Sequence, residues 1–502
     1  MSLTMHSDFD VVVLGAGIVG SAIATGLATK GHNVALIERG GQSVSEQIEA
    51  RPLIKCTERM HIGCLRARNH VLGGNGHYWG GGLMRPPNLY LGACLGQSDF
   101  GAEHSESLEN HFQNVERGLG VHRPPRRTML PVKDPTVGQC HLAEICVLPG
   151  KKRNPSQYWL KKFQSMPHCQ IFTGSEVKAF SKSQGRKVSS VLVDQRGFLR
   201  EIAGRSFVIA TGVIDSNLLV LAHAGEFGVE SRVDVGSRLH DHLSVPIARV
   251  RISSDSAAKG LLAPRFRNGL VVGRHFELGC ETGWGAEGFL HFTMRFDDLS
   301  PYREIKQLML LRQQGAPVLD LVKSSFPILS RTRQLMNVAI ERFVKRQLYL
   351  SDGLCICATL DFETFPNDAN TVRLAGDCAE LSWNIRDQDE FFYLELLKKA
   401  NRLVAELGSS YGLAVEPLAD FSSRSKAIDY LYTTATDAFH LGGGLAAGHA
   451  GTGVIDRNLL VSGSENVYVI SSAVLRRSGV VNPTHTLLAL ADRFVSSYRR
   501  DA

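Results

Sequence analysis

The sequence predicts an α/β chain, α+β when taken whole, in which one sheet is assembled from distant segments and a mixed-sheet unit is inserted between them. Three observations carry this. Short β-rich runs ending in Gly or Ser recur at opposite ends of the chain: FDVVVLGAGIVG and VALIERG near the start, RSFVIATGVIDS near residue 207 and NVYVISSAVL near 467. The stretch from about 246 to 430 differs, mixing alternating segments (LHFTMRF, CICATLDFE, TVRL) with long helical patterns. A chain of 502 residues is also too long for one ordinary core.

Bulk composition narrows the class. With 43% hydrophobic and 21% charged residues the balance is that of a globular protein. A net charge of +7 is modest over this length and is not gathered into a basic tail, so it gives no case for nucleic acid and a weak one for an anionic ligand. No run reaches the roughly 18 apolar residues of a membrane span, and the opening MSLTMHSDFD lacks the charged start and apolar run of a signal peptide. The ten cysteines show neither a CxxC pair nor zinc-like spacing. Together these features predict reduced thiols and a cytoplasmic location.

The first element is the most specific. Val11–Leu14 reads as a buried strand that enters Gly15-x-Gly17-x-x-Gly20, and a helix of small and apolar residues follows. Gly15 permits the tight turn, Gly17 lets backbone approach a pyrophosphate, and Gly20 allows close helix–strand packing. The helix N-terminus directs free amides at the phosphates. The second strand, Val34–Ile37, ends in Glu38, an acid able to accept hydrogen bonds from a ribose diol and unfavourable to a 2′-phosphate. A Rossmann-like dinucleotide site follows, without a choice between NAD and FAD.

The next element is HVLGGNGHYWGGGLMRPP (70–87), with six glycines and two aromatics in 18 residues. That density fits backbone passing close to something flat, with Trp79 available as a wall. Together with the opening fold and the C-terminal segment, it resembles the glucose–methanol–choline (GMC) oxidoreductases, where such a segment runs along the flavin ring of FAD. In the same order, ATG (210–212), VGSRLHDHLSVP (235–246) and FETFPNDANTVRL (362–374) resemble further family stretches. HLGGG (440–444) with VNPTHTLLALADR (481–493) is similar to the branch of bacterial cholesterol oxidases that pairs a His with an Asn before Pro.

The resemblance implies FAD contacts from Gly15, Gly17, Ile18, Val19 and Gly20 at the opening turn, and from Glu38 and Arg39 after the second strand. It adds Gly74, Asn75, Trp79, Gly80 and Gly81 in the glycine-dense segment, then Val177, Ala210, Thr211 and Gly212, and finally Ser472, Ala473, Pro483 and Thr484. Tyr78 stands where covalent relatives can carry a His, with His77 one residue off, so the FAD is expected to be non-covalent. Ser471, Ser472 and Ala473 replace the family's common Asp-Gly-Ser run, which implies different polar contacts to the flavin's ribityl and phosphate region. No metal is implied.

Oxidising an alcohol requires a proton acceptor poised near neutral pH, which suits imidazole. His440 matches the family's base and Asn482 the group that holds the substrate oxygen. The alternative for His440 is a turn cap, and for Asn482 a role in the turn into Pro483. His449 reads as a loop residue, His485 as a helix-start cap, and the pair Asp241 and His242 as structural, joining two domains.

The domains expected are a discontinuous FAD-binding unit (1–90, 165–245 and 431–502) and a substrate unit (91–164 and 246–430). The function expected is transfer of hydride from CH–OH to flavin N5, from a sugar or glycosylated metabolite. A hydrophobic alcohol such as a sterol is the alternative, as are a non-redox lyase on the same fold and a flavin-binding protein with little turnover. The electron acceptor (oxygen, a quinone or a protein carrier) stays open. Two basic helical patterns, PYREIKQLMLLRQQ and SRTRQLMNVAIERFVKRQL, place Leu308, Leu311, Met336, Ile340 and Phe343 at helical spacing. They are expected to pack on the insertion's own sheet, with a lid or a membrane-surface or partner face as the alternative.

Overall fold

The computed structural model describes residues 4–46, 52–86, 102–183, 185–229, 234–253, 256–279, 286–294, 317–329, 332–385, 390–448, 453–477 and 479–499, with single positions at 49, 305, 308 and 311. Five parallel strands form its first sheet, in the spatial order Cys169–Phe172, Val34–Ile37, Thr4–Leu14, Phe198–Ile209 and Val467–Val469. Val11 to Val13, Val34 to Leu36, Phe207 to Ile209, Val467 and Val469 are all fully buried. Strands covered on both faces read as unbroken apolar runs rather than as alternation, which is why these segments stood out in the sequence.

Register sets the site. Leu14 lies beside Ile37 on one side and Ile209 on the other, and Ile209 pairs with Val469. The residues that follow, Gly15, Glu38, Ala210 and Ile470, therefore share one edge of the sheet. That edge is the carboxyl end, where open α/β sheets bind ligands. The long strand Phe198–Ile209 also carries an antiparallel meander, with Val188–Gln195 on its first half and Ser175–Lys182 beyond. Helix Ile18–Thr29 packs against the last helix, Pro483–Ser497, where Gly26 leaves room for Val495.

The second sheet has ten strands. Its main path runs Ala414–Pro417, His242–Arg251, Cys355–Glu363, Ala286–Met294, Leu270–Gly279, Cys140–Val147 and Gly82–Leu83, all antiparallel. Alternation is strict where it matters. Leu243, Val245, Ile247, Ile356, Ala358, Leu360, Phe362 and Leu290 join one core with Leu396, Leu397, Ala400 and Leu403 of helix Glu390–Tyr411. Side chains of opposite parity, His242, Ser244, Asp361, Glu363 and His291, point to the other face. A smaller sheet pairs Leu53–Glu58 in parallel with Cys378–Trp383, which forms a hairpin with Thr371–Ala375.

The packing expected of the basic helices is corrected here. Helix Thr332–Ala339 has no buried residue, and Met336, Ile340 and Phe343 are exposed, Phe343 by 78%. Val318 and Leu319 of helix Val318–Leu329 are exposed too. The anchor is a cation instead, since the Arg342 guanidinium lies 3.7 Å over the Phe266 ring. The pattern holding Leu308 and Leu311 falls largely outside the described residues, and both positions are partly exposed. Among the described residues no helix is long and apolar enough to cross a membrane, and the cysteines are free.

Burial pushes several imidazoles down, His240, His440 and His485 to about 4 and His275 to about 3. A His whose folded pKa is depressed stabilises the fold fully above its unfolded value of about 6.5. That stability is lost as pH falls from there toward 4 and 3, at about 1.4 kcal/mol per unit per group. The melting temperature should therefore drop steadily between pH 6.5 and 4, as a thermal melt series would show.

Candidate active site

The opening turn is built as its glycines demand. Gly15 has φ +95, and a Cβ there would lie 2.6 Å from the Ala210 carbonyl oxygen. A Cβ on Gly20 would lie 1.9 Å from the Gly15 oxygen. Gly17, at the N-cap of helix Ile18–Thr29, is different, since a Cβ there would meet nothing within 4 Å. The same holds for Gly80 and for Gly212, the N-cap of helix Val213–Ala222. Two glycines are thus closed against protein while three face open space, as a cradle for a pyrophosphate and a flat ring requires. Ile18, Val19 and Gly20 form the first helical turn.

Glu38 does more than the sequence indicates. Its carboxylate accepts the Ala16 N–H at 2.9 Å and the Gly40 N–H at 2.8 Å, so it clamps the glycine turn itself. Burial raises its pKa, against the two amides. The lone pairs that remain are those available to a ribose. Arg39 pairs with Glu176 at 2.7 Å, one residue before Val177 on its strand. Nearby, Arg68 and His70 reach Asp215 at 2.5 and 3.4 Å. Against burial, the Arg68 guanidinium and the hydrogen bonds from Arg68 and His70 hold the Asp215 carboxyl well below the usual range. This cluster was not foreseen, since its members are far apart in sequence.

In the glycine-dense segment, Gly74 (φ +50) brings its backbone against Gly17, where a Cβ would be 3.1 Å from the Gly17 Cα. Asn75 accepts from the Asn69 side chain at 2.8 Å and so braces its own loop. Trp79 packs on the cluster of Leu83, Val272 and Leu488. Gly81 (φ +74) abuts Arg153, and Thr211 shares a hydroxyl contact with Ser216 at 3.1 Å. At the C-terminal end the Ser472 hydroxyl donates to the Leu441 carbonyl at 2.8 Å, and Ala473 is sealed in the core. Both residues hold the His440 segment in place. Pro483 and Thr484 open the last helix, which Asn482 precedes at the N-cap without a side-chain capping bond. His485 is not the cap expected: it lies inside the helix, fully buried, its ring edge-on to Phe112 and 3.1 Å from the Met84 carbonyl. His449 lies outside the described residues.

The glycines of HLGGG form a short strand. Gly442–Gly444 pairs with Ser237–His240, and a Cβ on Gly444 would lie 2.2 Å from Asn217. This close packing delivers His440 to the neighbouring strand His242–Arg251. There His440 Nδ1 lies 2.9 Å from His242 Nδ1. His242 Nε2 meets the carbonyl oxygen of Gly479. A carbonyl only accepts, so a neutral His242 carries its proton on Nε2 and presents a lone pair at Nδ1. His440 must then donate from Nδ1, which leaves its own Nε2 with a free lone pair. Burial first, and His242 second, push the His440 pKa down to about 4. The result is a neutral imidazole with its basic nitrogen fixed.

The surrounding groups hold this chain of contacts. Glu363 accepts the Gly479 N–H at 2.9 Å and takes Arg477 on its other oxygen. Asp241 Oδ1 accepts both the His242 and His440 backbone N–H groups, at 2.6 and 2.9 Å. Its Oδ2 lies 3.0 Å from His61 Nε2, both side chains fully buried. Burial opposes charge on His61, yet the Cys64 thiol and Asp241 raise its pKa well above the ordinary value. A structural role suits Asp241, but His242 does more than join domains. The D-H dipeptide beside HLGGG was the available signal. Replacing His242 with Leu removes the acceptor for His440 Nδ1–H and should slow reduction of the expected flavin about fivefold, the worth of one hydrogen bond of roughly 1 kcal/mol. Gln, which keeps an acceptor, should recover part of it in stopped-flow bleaching.

Comparison with known proteins agrees with this geometry. Residues 366–491 match the family described as GMC oxidoreductase, and residues 10–47 match that described as FAD dependent oxidoreductase. The chain matches no curated protein sequence. Among solved structures it is similar to pyridoxine 4-oxidase from Mesorbium loti, at 16% identity and a TM-score of 0.62, over 98% of this chain and 99% of that one. It is also similar to a formate oxidase of Aspergillus oryzae, at 14% identity and a TM-score of 0.61, over 98% of both. These likenesses establish a shared fold.

Proposed function

We propose that this chain, an FAD-dependent oxidoreductase, oxidises a small-molecule alcohol at its CH–OH group with His440 as base and Asn482 as the oxygen-holding group. The observation that carries the reading is the 2.9 Å contact of His440 Nδ1 to His242 Nδ1, with His242 Nε2 on the Gly479 carbonyl, which leaves His440 Nε2 as an acceptor when both rings are neutral. When bound, FAD supplies the two-electron acceptor for the carbinol carbon. The protein supplies the rest. His440 Nε2 takes the hydroxyl proton; its depressed pKa keeps it deprotonated at neutral pH but makes it a weaker base than the near-neutral imidazole expected from the sequence. Asn482 offers an amide donor at the head of the last helix, three residues beyond the Gly479 that sets the tautomer. The open sides of Gly17, Gly80 and Gly212 hold the cofactor.

The His–Asn pair supports the cholesterol-oxidase-like arrangement of the site without fixing the substrate, for which a sugar or glycosylated metabolite is the reading advanced. The test is a visible spectrum of the purified protein under anaerobic alcohol. Bleaching of the flavin bands by members of a panel of sugars, aminosugars, glycosides and sterols is expected. A flavin that stays oxidised throughout would reject alcohol oxidation.

A further inference from the structure

We infer that the ten-stranded sheet presents a polar recognition wall of Ser244, Asp361, His291 and His275, which selects an alcohol bearing further hydroxyl groups beside the one oxidised. The inference rests on the alcohol-oxidation reading and names the substrate class for it.

The wall follows from strand alternation. On strands His242–Arg251 and Cys355–Glu363, Leu243, Val245, Leu360 and Phe362 go to the helix-covered core. Ser244 and Asp361, directly opposite one another, go to the other face. His242, which touches the base, is on that face two residues before Ser244, so wall and base share one surface. The charge on Asp361 also reaches His440.

The contacts are polar and incomplete. Ser244 Oγ donates to Asp361 Oδ1 at 2.5 Å, and His291 Nε2 lies 3.3 Å from Asp361 Oδ2. The His275 and His291 rings are 5.6 Å apart, and His275 is stacked on Phe289 at 4.6 Å. Among the described residues, His275 Nδ1 is buried without a hydrogen-bond partner, whereas His291 Nε2 has the Asp361 carboxylate. Buried polar atoms in native structures are normally satisfied, so His275 Nδ1 marks where a partner from outside the chain belongs. Ser244, His275 and His291 are nevertheless partly exposed, while Val245, Phe276 and Leu290 beside them on the same strands are sealed. These side chains therefore stand on a partly open face of the sheet.

A hydroxyl both donates and accepts, so one group can give to the Asp361 carboxylate while receiving from an imidazole N–H. A hydrocarbon entering here would leave His275 Nδ1 unpaired and offer nothing to the Asp361–His291 pair. Sites built to hydrogen-bond a hydroxyl reject analogues lacking it by factors up to about 10⁴–10⁵. A sterol, with a single hydroxyl, fits this wall poorly; a polyol fits it well.

The holoenzyme is compared on a hexopyranoside and on cyclohexylmethanol of similar ring size, by stopped-flow flavin reduction. A kcat/KM ratio of roughly 10² or more in favour of the polyol is expected. Asp361→Asn and His291→Gln should each narrow that ratio to within about tenfold, chiefly through a higher polyol KM. If Asp361→Asn does not fold, His291→Gln carries the comparison. In parallel, calorimetry on His440→Ala, which binds without turning over, should show polyol affinity falling roughly tenfold when His291→Gln is added. Apolar alcohols oxidised as fast as polyols would overturn the wall while leaving alcohol oxidation intact. Flavin that no alcohol bleaches, with polyol binding still lost in His291→Gln, would reject oxidation and keep the wall; no polyol binding at all would reject the wall.

Discussion

His440→Ala should yield a yellow, folded protein whose flavin is reduced by alcohol roughly 10²–10⁴-fold more slowly, the usual worth of a general base. Colour is expected to persist because the residues facing the proposed cofactor space, Gly17, Gly80 and Gly212, do not touch this side chain. Folding should survive because Asp241 holds the backbone N–H of residue 440, which alanine retains. The pH profile gives an independent check. The neutral imidazole is the active form, and burial with His242 places its pKa at about 4. Activity should therefore be lost only as pH falls toward 4, well below the value of about 6.5 for a free imidazole. A limb near 6.5 that vanishes in the variant would show the ring to be solvated; unaltered reduction rates would remove His440 from the chemistry.

The second large effect is on the cofactor. Gly20→Ala should abolish FAD retention and destabilise the fold by about 3 kcal/mol or more, as overpacking against backbone does. The added Cβ would sit 1.9 Å from the Gly15 carbonyl oxygen and 3.3 Å from the Ala210 side chain. Neither backbone oxygen nor sheet edge can yield, because Gly15 N is tied to Ile37 at 2.8 Å and Ala210 N to Leu14 at the same distance. The helix must move off the strand, carrying its free amides away from the pyrophosphate position. Gly17→Ala is the informative contrast: the protein has space for that Cβ, so loss there should appear in FAD affinity with little change in the melt of the FAD-free protein. Flavin absorbance after gel filtration and thermal melts of both variants separate the two cases. A yellow Gly20→Ala protein of normal stability would disprove the packing argument.

How legible each part was depended on whether its cause is local. The opening turn and the parallel strands were readable because each obeys a short-range rule: glycine where backbone crowds, and unbroken apolar runs where strands are covered on both sides. The basic helices misled for the same reason. Helical spacing of Met336, Ile340 and Phe343 is local, but whether a surface lies opposite is not, and these side chains are exposed.

What the sequence determined alone is the nucleotide-binding turn, since strand, turn, helix and acid all lie within residues 11–38. Only the tertiary structure decided what the proposed base touches. His242, His440, Gly479 and Glu363 span more than 230 residues, and the Gly479 carbonyl lies two contacts from His440. Hydrogen-bond donors and acceptors must match across space at about 3 Å, and no pattern along a chain records which distant strands will bring them there.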